Sequence, residues 1–75
     1  MRNSRDALSA ETAASDARTA SLADYIAEMA GELATMADRS ELTMLAYFLN
    51  LARVEAEAKS RELTASVAAR ARGRA

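Results

Sequence analysis

The sequence predicts an all-α fold: a helical hairpin of two main helices that dimerises into an antiparallel four-helix bundle. Large apolar residues recur at helical spacing in two segments, which are separated by a short polar stretch. Most of these residues lie between Leu22 and Val54, which leaves both ends of the 75-residue chain sparse. The chain has no Cys, so disulfide bonds cannot stabilise it, and a hairpin this small buries too little surface to fold alone. These observations favour association of two hairpins.

Residues 1–20 are predicted to form a flexible N-terminal arm. Small, polar and charged residues predominate here, and Leu8 is the only large aliphatic residue after Met1. Such a segment lacks the apolar surface that offsets the entropy of folding. The alternative is a marginal helix that forms only on a partner.

Residues 21–37 are predicted to form helix 1, with Ser21 as a suitable N-terminal cap. A stripe of large side chains with the 4, 3, 4, 3 spacing of a coiled-coil seam is predicted to pack this helix: Leu22, Ile26, Met29, Leu33 and Met36. A second stripe with the same spacing, one residue further along, contains only alanine: Ala23, Ala27, Ala30, Ala34 and Ala37. Side chains this small favour close approach of another helix, although alanine is also simply a good helix former.

The remaining face of helix 1 carries carboxylates at Asp24, Glu28 and Glu32. Three acids four residues apart could suggest a cation site. A calcium loop needs an irregular, Gly-containing segment, and a two-metal carboxylate centre needs His partners, which this chain lacks. We therefore expect a solvated acidic face that holds no metal.

A turn is predicted near Asp38, Arg39 and Ser40, because the heptad register of helix 1 fails there. Asp38 and Glu41 have the spacing of a capping box, and Ser40 is a second possible cap. Helix 2 is expected to run from about Glu41 to at least Lys59. One continuous helix through this region is the alternative.

Helix 2 is predicted to be the dimerisation element of a hairpin domain that spans residues 21–60. Between Leu42 and Val54 it has only three polar residues, so it is apolar on almost every side. A single neighbouring helix cannot cover such a surface. The predicted dimer interface consists of Leu42, Met44, Leu45, Phe48, Leu49, Leu51 and Ala52.

Residues 61–75 are predicted to form a basic, partly helical C-terminal tail. Possible nucleic-acid contacts in this tail are Arg70, Arg72 and Arg74, whose guanidinium groups could bind phosphates. No aromatic residue lies among them for base stacking. The pI of about 5.3 is also far from that of a typical nucleic-acid-binding domain.

The composition excludes several kinds of chemistry. With no His and no Cys, the chain lacks the usual ligands for zinc and haem and the usual catalytic dyads and triads. Its two Gly are isolated, so there is no phosphate-binding loop. We expect no enzymatic activity and no cofactor. Because neither a secretory signal nor a membrane-spanning apolar run is present, a cytoplasmic location is expected.

Two segments, LADYIAEM at residues 22–29 and LAYFLNLARVEAE at residues 45–57, resemble a set of short, uncharacterised bacterial two-helix proteins. The resemblance covers residues 21–58. It implies a pair of helices with variable ends and brings no established activity.

The function expected from the sequence is a non-enzymatic homodimeric helical protein–protein interaction module. Its expected partners are a second copy of itself and another protein. One alternative is a small regulator that binds nucleic acid through its Arg-rich C-terminal tail. The other alternative is a subunit whose helix 2 is completed by a different protein.

Overall fold

The chain folds into two long antiparallel helices. The computed structural model describes residues 4–73, and the side chains of residues 10–73. α1 spans Ser4–Arg39 and α2 spans Thr43–Gly73, and this part of the chain contains no strand. The extents of 62 × 16 × 13 Å are those of a rod. The predicted all-α hairpin is therefore confirmed.

The first helix begins at Ser4 and not at Ser21. Residues 4–20 are continuous helix, which corrects the predicted boundary between an arm and helix 1. The prediction depended on the scarcity of large aliphatic residues. Against a neighbouring helix, however, alanine fills a closely packed seam and favours helix by its own propensity, and Ala20 is buried there. The first three residues of the predicted arm lie outside the described residues.

The contact between the two helices is an alanine seam. All the buried residues of α1 whose side chains are described are alanines: Ala20, Ala23, Ala27, Ala30, Ala34 and Ala37. On α2 the buried residues are Ala46, Ala56 and Ser60, with Leu49 and Arg53 half-buried between them. Alternating steps of three and four residues keep one face of each helix against the other. The alanine stripe predicted for close packing is therefore the packing face.

The stripe of large side chains on α1 lies outside this seam, and its members are exposed or half-buried: Leu22, Ile26, Met29, Leu33 and Met36. These residues therefore do not form the seam within the hairpin, and their predicted role in packing helix 1 stays a prediction for contacts with another molecule. The two stripes differ by one residue, which is about 100° around the helix. On the matching side of α2, one residue before Ala56 and Ser60, lie exposed Glu55 and Lys59. Charged residues at this level cannot form an apolar seam with the large side chains of α1, whereas nearer the turn the same side of α2 carries Leu45.

The turn closes on a residue in the left-handed conformation. The Leu42 N–H donates to the Ala37 carbonyl at 2.8 Å, and the Glu41 N–H donates to the Asp38 carbonyl at 3.0 Å. These two bonds form a Schellman motif at the end of α1. Glu41 has a φ of 62°, a value at which Gly is usual. The turn lies where it was predicted, but Asp38 and Glu41 end α1 and do not cap helix 2, which begins at Thr43.

The second helix continues far beyond its predicted minimum end at Lys59 and reaches Gly73. Half-buried Leu63 and Val67 extend the seam into this region. Residues 61–73 of the predicted basic tail are thus continuous helix, and the last two residues lie outside the described part of the chain.

Candidate interaction surface

Large apolar side chains lie on the outside of the hairpin, mostly in the half nearest the turn. Twelve of them have exposed fractions between 42% and 64%, and together they are called the apolar patch here: Leu22, Tyr25, Ile26, Leu33, Met36, Leu42, Met44, Leu45, Tyr47, Phe48, Leu51 and Val54. Among the described side chains, no large one is fully buried. The hairpin therefore has small side chains between its helices and large ones on its surface.

The patch surrounds much of α2 between Met44 and Val54. Met44 is 64% exposed and Phe48 is 57% exposed. The rings of Tyr47 and Phe48 form an edge-to-face pair with their centroids 5.6 Å apart, so two neighbouring aromatic side chains contact solvent together. Since only one stripe of this helix faces α1, most of its apolar circumference has no cover within the hairpin.

A groove between the helices opens beside the turn. It has a volume of about 400 Å³ and is lined by Leu33, Met36, Ala37, Ser40, Leu42, Leu45 and Leu49. Leu33 and Leu45 each precede a seam alanine by one residue, and in an antiparallel helix pair such positions fall on the same side. The groove therefore joins the large side chains of α1 and α2 into one apolar face.

The structure places the predicted dimer-interface residues on this accessible surface. Six of them are exposed and Leu49 is half-buried: Leu42, Met44, Leu45, Phe48, Leu49, Leu51 and Ala52. Tyr25 adds to the patch from the outer side of α1. The heptad stripes did not identify it, because it lies two residues before the seam residue Ala27 and so belongs to neither stripe.

The opposite face of the hairpin is acidic. A groove of about 610 Å³ on this side is lined by Asp24, Ala27, Glu28, Gly31, Glu32, Thr35, Arg53 and Glu57. Glu28 and Glu32 are exposed. Within the described part of the chain, no group of three or more acidic side chains is arranged to hold a metal ion. The carboxylates therefore give this face a negative charge that the apolar face lacks.

Arg53 crosses from the seam toward the acidic face. Its Nη1 donates to Glu57 Oε2 at 3.2 Å, and its Nε donates to Asn50 Oδ1 at 3.5 Å. A Cβ atom added at Gly31 would lie 3.0 Å from the Cδ of Arg53. Gly31 thus provides the space in which the arginine side chain crosses α1.

The basic tail is partly occupied by a contact within the chain. Arg70 Nη1 donates to Asp16 Oδ2 at 2.7 Å, an ion pair between the two helices. Arg72 is exposed, and Arg74 lies outside the described residues. Of the three predicted nucleic-acid contacts, Arg70 is therefore engaged with α1.

Comparison with known proteins gives no guide to the function, since no family model, curated protein or solved structure matches the chain. Within residues 4–73, neither helix has a stretch apolar enough to cross a membrane. The function must therefore be inferred from the surface of the hairpin itself.

Proposed function

We propose that this protein is a non-enzymatic homodimeric interaction module in which a second copy covers the apolar patch. The observation that carries the proposal is the distribution of side-chain size, with buried alanines between the helices and twelve large apolar residues outside. A contiguous exposed apolar surface on a small domain is typical of an interface. Burial of the large side chains would supply the free energy that an alanine seam alone cannot supply.

The size of the patch is suited to a stable dimer. A standard protein interface covers about 800 Å² on each partner. That area is about a seventh of the 5786 Å² accessible surface of the hairpin. Twelve side chains that are each about half exposed can provide most of such an area, and they are nearly continuous around the turn half of α2.

The proposed dimer is an antiparallel four-helix bundle in which α2 meets its own copy near Phe48. A two-fold axis places the same surface on both sides of the contact, so one self-complementary patch is sufficient. The groove beside the turn accommodates large side chains of the second copy. The acidic groove lies on the other face of the hairpin and remains available to another protein.

The test is the self-association of Phe48→Asp across the micromolar range, measured by sedimentation equilibrium. A carboxylate at the centre of the interface would be buried without a partner. We expect at least a hundredfold weaker dimer, about 3 kcal/mol. The matched control is Ala65→Asp, which introduces the same charge at an exposed position of α2 outside the patch.

A second variant distinguishes weaker dimerisation from loss of the fold. Phe48→Ala keeps a good helix former at this position and should weaken the dimer about tenfold, with unchanged helicity at saturating concentration. Dimers of Phe48→Asp that are as tight as wild type would contradict the proposal. A wild-type chain that is monomeric and poorly helical would also contradict it, and would favour completion of α2 by a different protein.

A further inference from the structure

Polar contacts join the helices in the half of the rod away from the turn. This distal half consists of residues 10–24 and 60–73, and residues 25–59 form the turn half. Arg70 donates to Asp16 at 2.7 Å, and the Ser60 hydroxyl donates to Asp24 Oδ1 at 2.5 Å. Asp16 and Arg70 continue the heptad spacing of the seam, so both occupy seam positions. In the turn half, most of the equivalent positions are alanines.

The apolar contact in the distal half is thin. Its large apolar seam residues are Leu63 and Val67, and both are only half-buried. Of the nine buried residues among the described side chains, only Ala20, Ala23 and Ser60 lie in this half. Fewer buried contacts lower the free energy that holds two helices together. Closure of this half therefore depends more strongly on its polar contacts.

The Asp16–Arg70 ion pair has a short contact distance, but its side chains are partly exposed to ions in solution. A contact of 2.7 Å is typical of a charge-assisted hydrogen bond. The side chains of Arg70 and Asp16 are 37% and 23% exposed, so ions in solution partly screen the pair. Local openings of this kind occur where few apolar contacts and accessible hydrogen bonds coincide.

We infer that the distal half is an ion-pair clasp, which opens independently of the turn half and is held closed by Asp16 and Arg70. Opening uncovers Leu63 and Val67 and releases the Arg70 guanidinium beside Arg72. Ionic strength therefore controls access to an amphipathic segment at the end of α2. The clasp does not depend on the proposed dimer, because it concerns the contact between the two helices of one chain.

The clasp is tested by hydrogen–deuterium exchange on the full chain at fixed protein concentration. In Arg70→Gln, amides of residues 10–20 and 61–72 should exchange about fivefold faster, while residues 27–37 and 43–53 keep wild-type rates. The matched control Arg72→Gln removes the same charge from an exposed neighbouring position and should leave both halves unchanged. High salt should accelerate distal exchange in the wild type and have little further effect on Arg70→Gln.

The exchanged pair Asp16→Arg with Arg70→Asp distinguishes a specific contact from general loss of charge. It should restore most of the distal protection that either single substitution removes. Equal acceleration in both halves would overturn the independent opening. Equal effects of Arg70→Gln and Arg72→Gln, or an exchanged pair no better protected than the single variants, would overturn the role of the ion pair.

Discussion

The inner seam and the outer surface of the hairpin differ in the size of their apolar side chains. Inside, α1 contributes only alanines to the buried set; outside, residues such as Met44 and Phe48 are more than half exposed. In a self-sufficient small domain the large side chains would be buried and the small ones would fill gaps. The reversed order shows that small side chains form the hairpin seam, and it supports the proposal that the large residues serve contacts between molecules.

The seam should be the part of the molecule most sensitive to added volume. Ala34 is 3% exposed, so Ala34→Leu forces three additional carbon atoms between closely packed backbones. We expect a loss of about 2 kcal/mol and a thermal midpoint lower by roughly 10 °C. Circular dichroism melts at one concentration measure this. The control Thr35→Leu adds a large residue at the neighbouring exposed position, and an equal effect of both substitutions would contradict the seam.

A substitution in the turn should increase stability, by less than the seam substitution decreases it. Glu41 adopts a φ of 62°, which costs a residue with a Cβ atom about 1 kcal/mol. Glu41→Gly should therefore raise the unfolding free energy by about 1 kcal/mol, whereas Glu41→Ala should give no such gain. Thermal melts of both variants compare them directly. Equal stability of the Gly and Ala variants would show that the left-handed residue does not limit the turn.

The smallest predicted effect concerns the crossing of Arg53 over α1. Gly31→Ala gains about 1 kcal/mol of helix propensity, but its Cβ would meet the Arg53 Cδ at 3.0 Å. In the wild-type background, we expect the gain in helix propensity and the cost of this close contact nearly to cancel. In an Arg53→Ala background, Gly31→Ala should show the full gain in stability. A double-mutant cycle of melting midpoints measures this coupling. An equal effect of Gly31→Ala in both backgrounds would mean that Arg53 does not occupy this space.

Periodicity predicted the elements of the hairpin better than it predicted their facing sides. The spacing of Ala23 and Leu22 is the same, so the pattern alone defines two candidate seams 100° apart. The choice depends on which residues of α2 lie at the same level. Away from the turn these include charged residues such as Glu55 and Lys59, which exclude an apolar seam with the large stripe there. Such a long-range match appears only when both helices are placed together.

Local sequence signals could not predict the start of α1 or the way it ends, for separate reasons. The extension of α1 before Ser21 places small residues such as Ala20 against α2, and a search for large aliphatic residues does not register such contacts. The left-handed Glu41 occupies a position where the usual signal is Gly, so the Schellman motif has no mark in the sequence. The accessible position of Phe48 and Leu51, in contrast, follows from a helix that is apolar on almost every side.

We propose that the large apolar residues serve contacts between molecules. Light scattering on the purified chain at micromolar concentration, with circular dichroism on the same sample, is the decisive measurement. We expect a strongly helical particle with twice the 8.0 kDa mass of one chain. A fully helical, stable species of 8.0 kDa at every concentration would contradict it, because the apolar patch would then remain in water without cost to the fold.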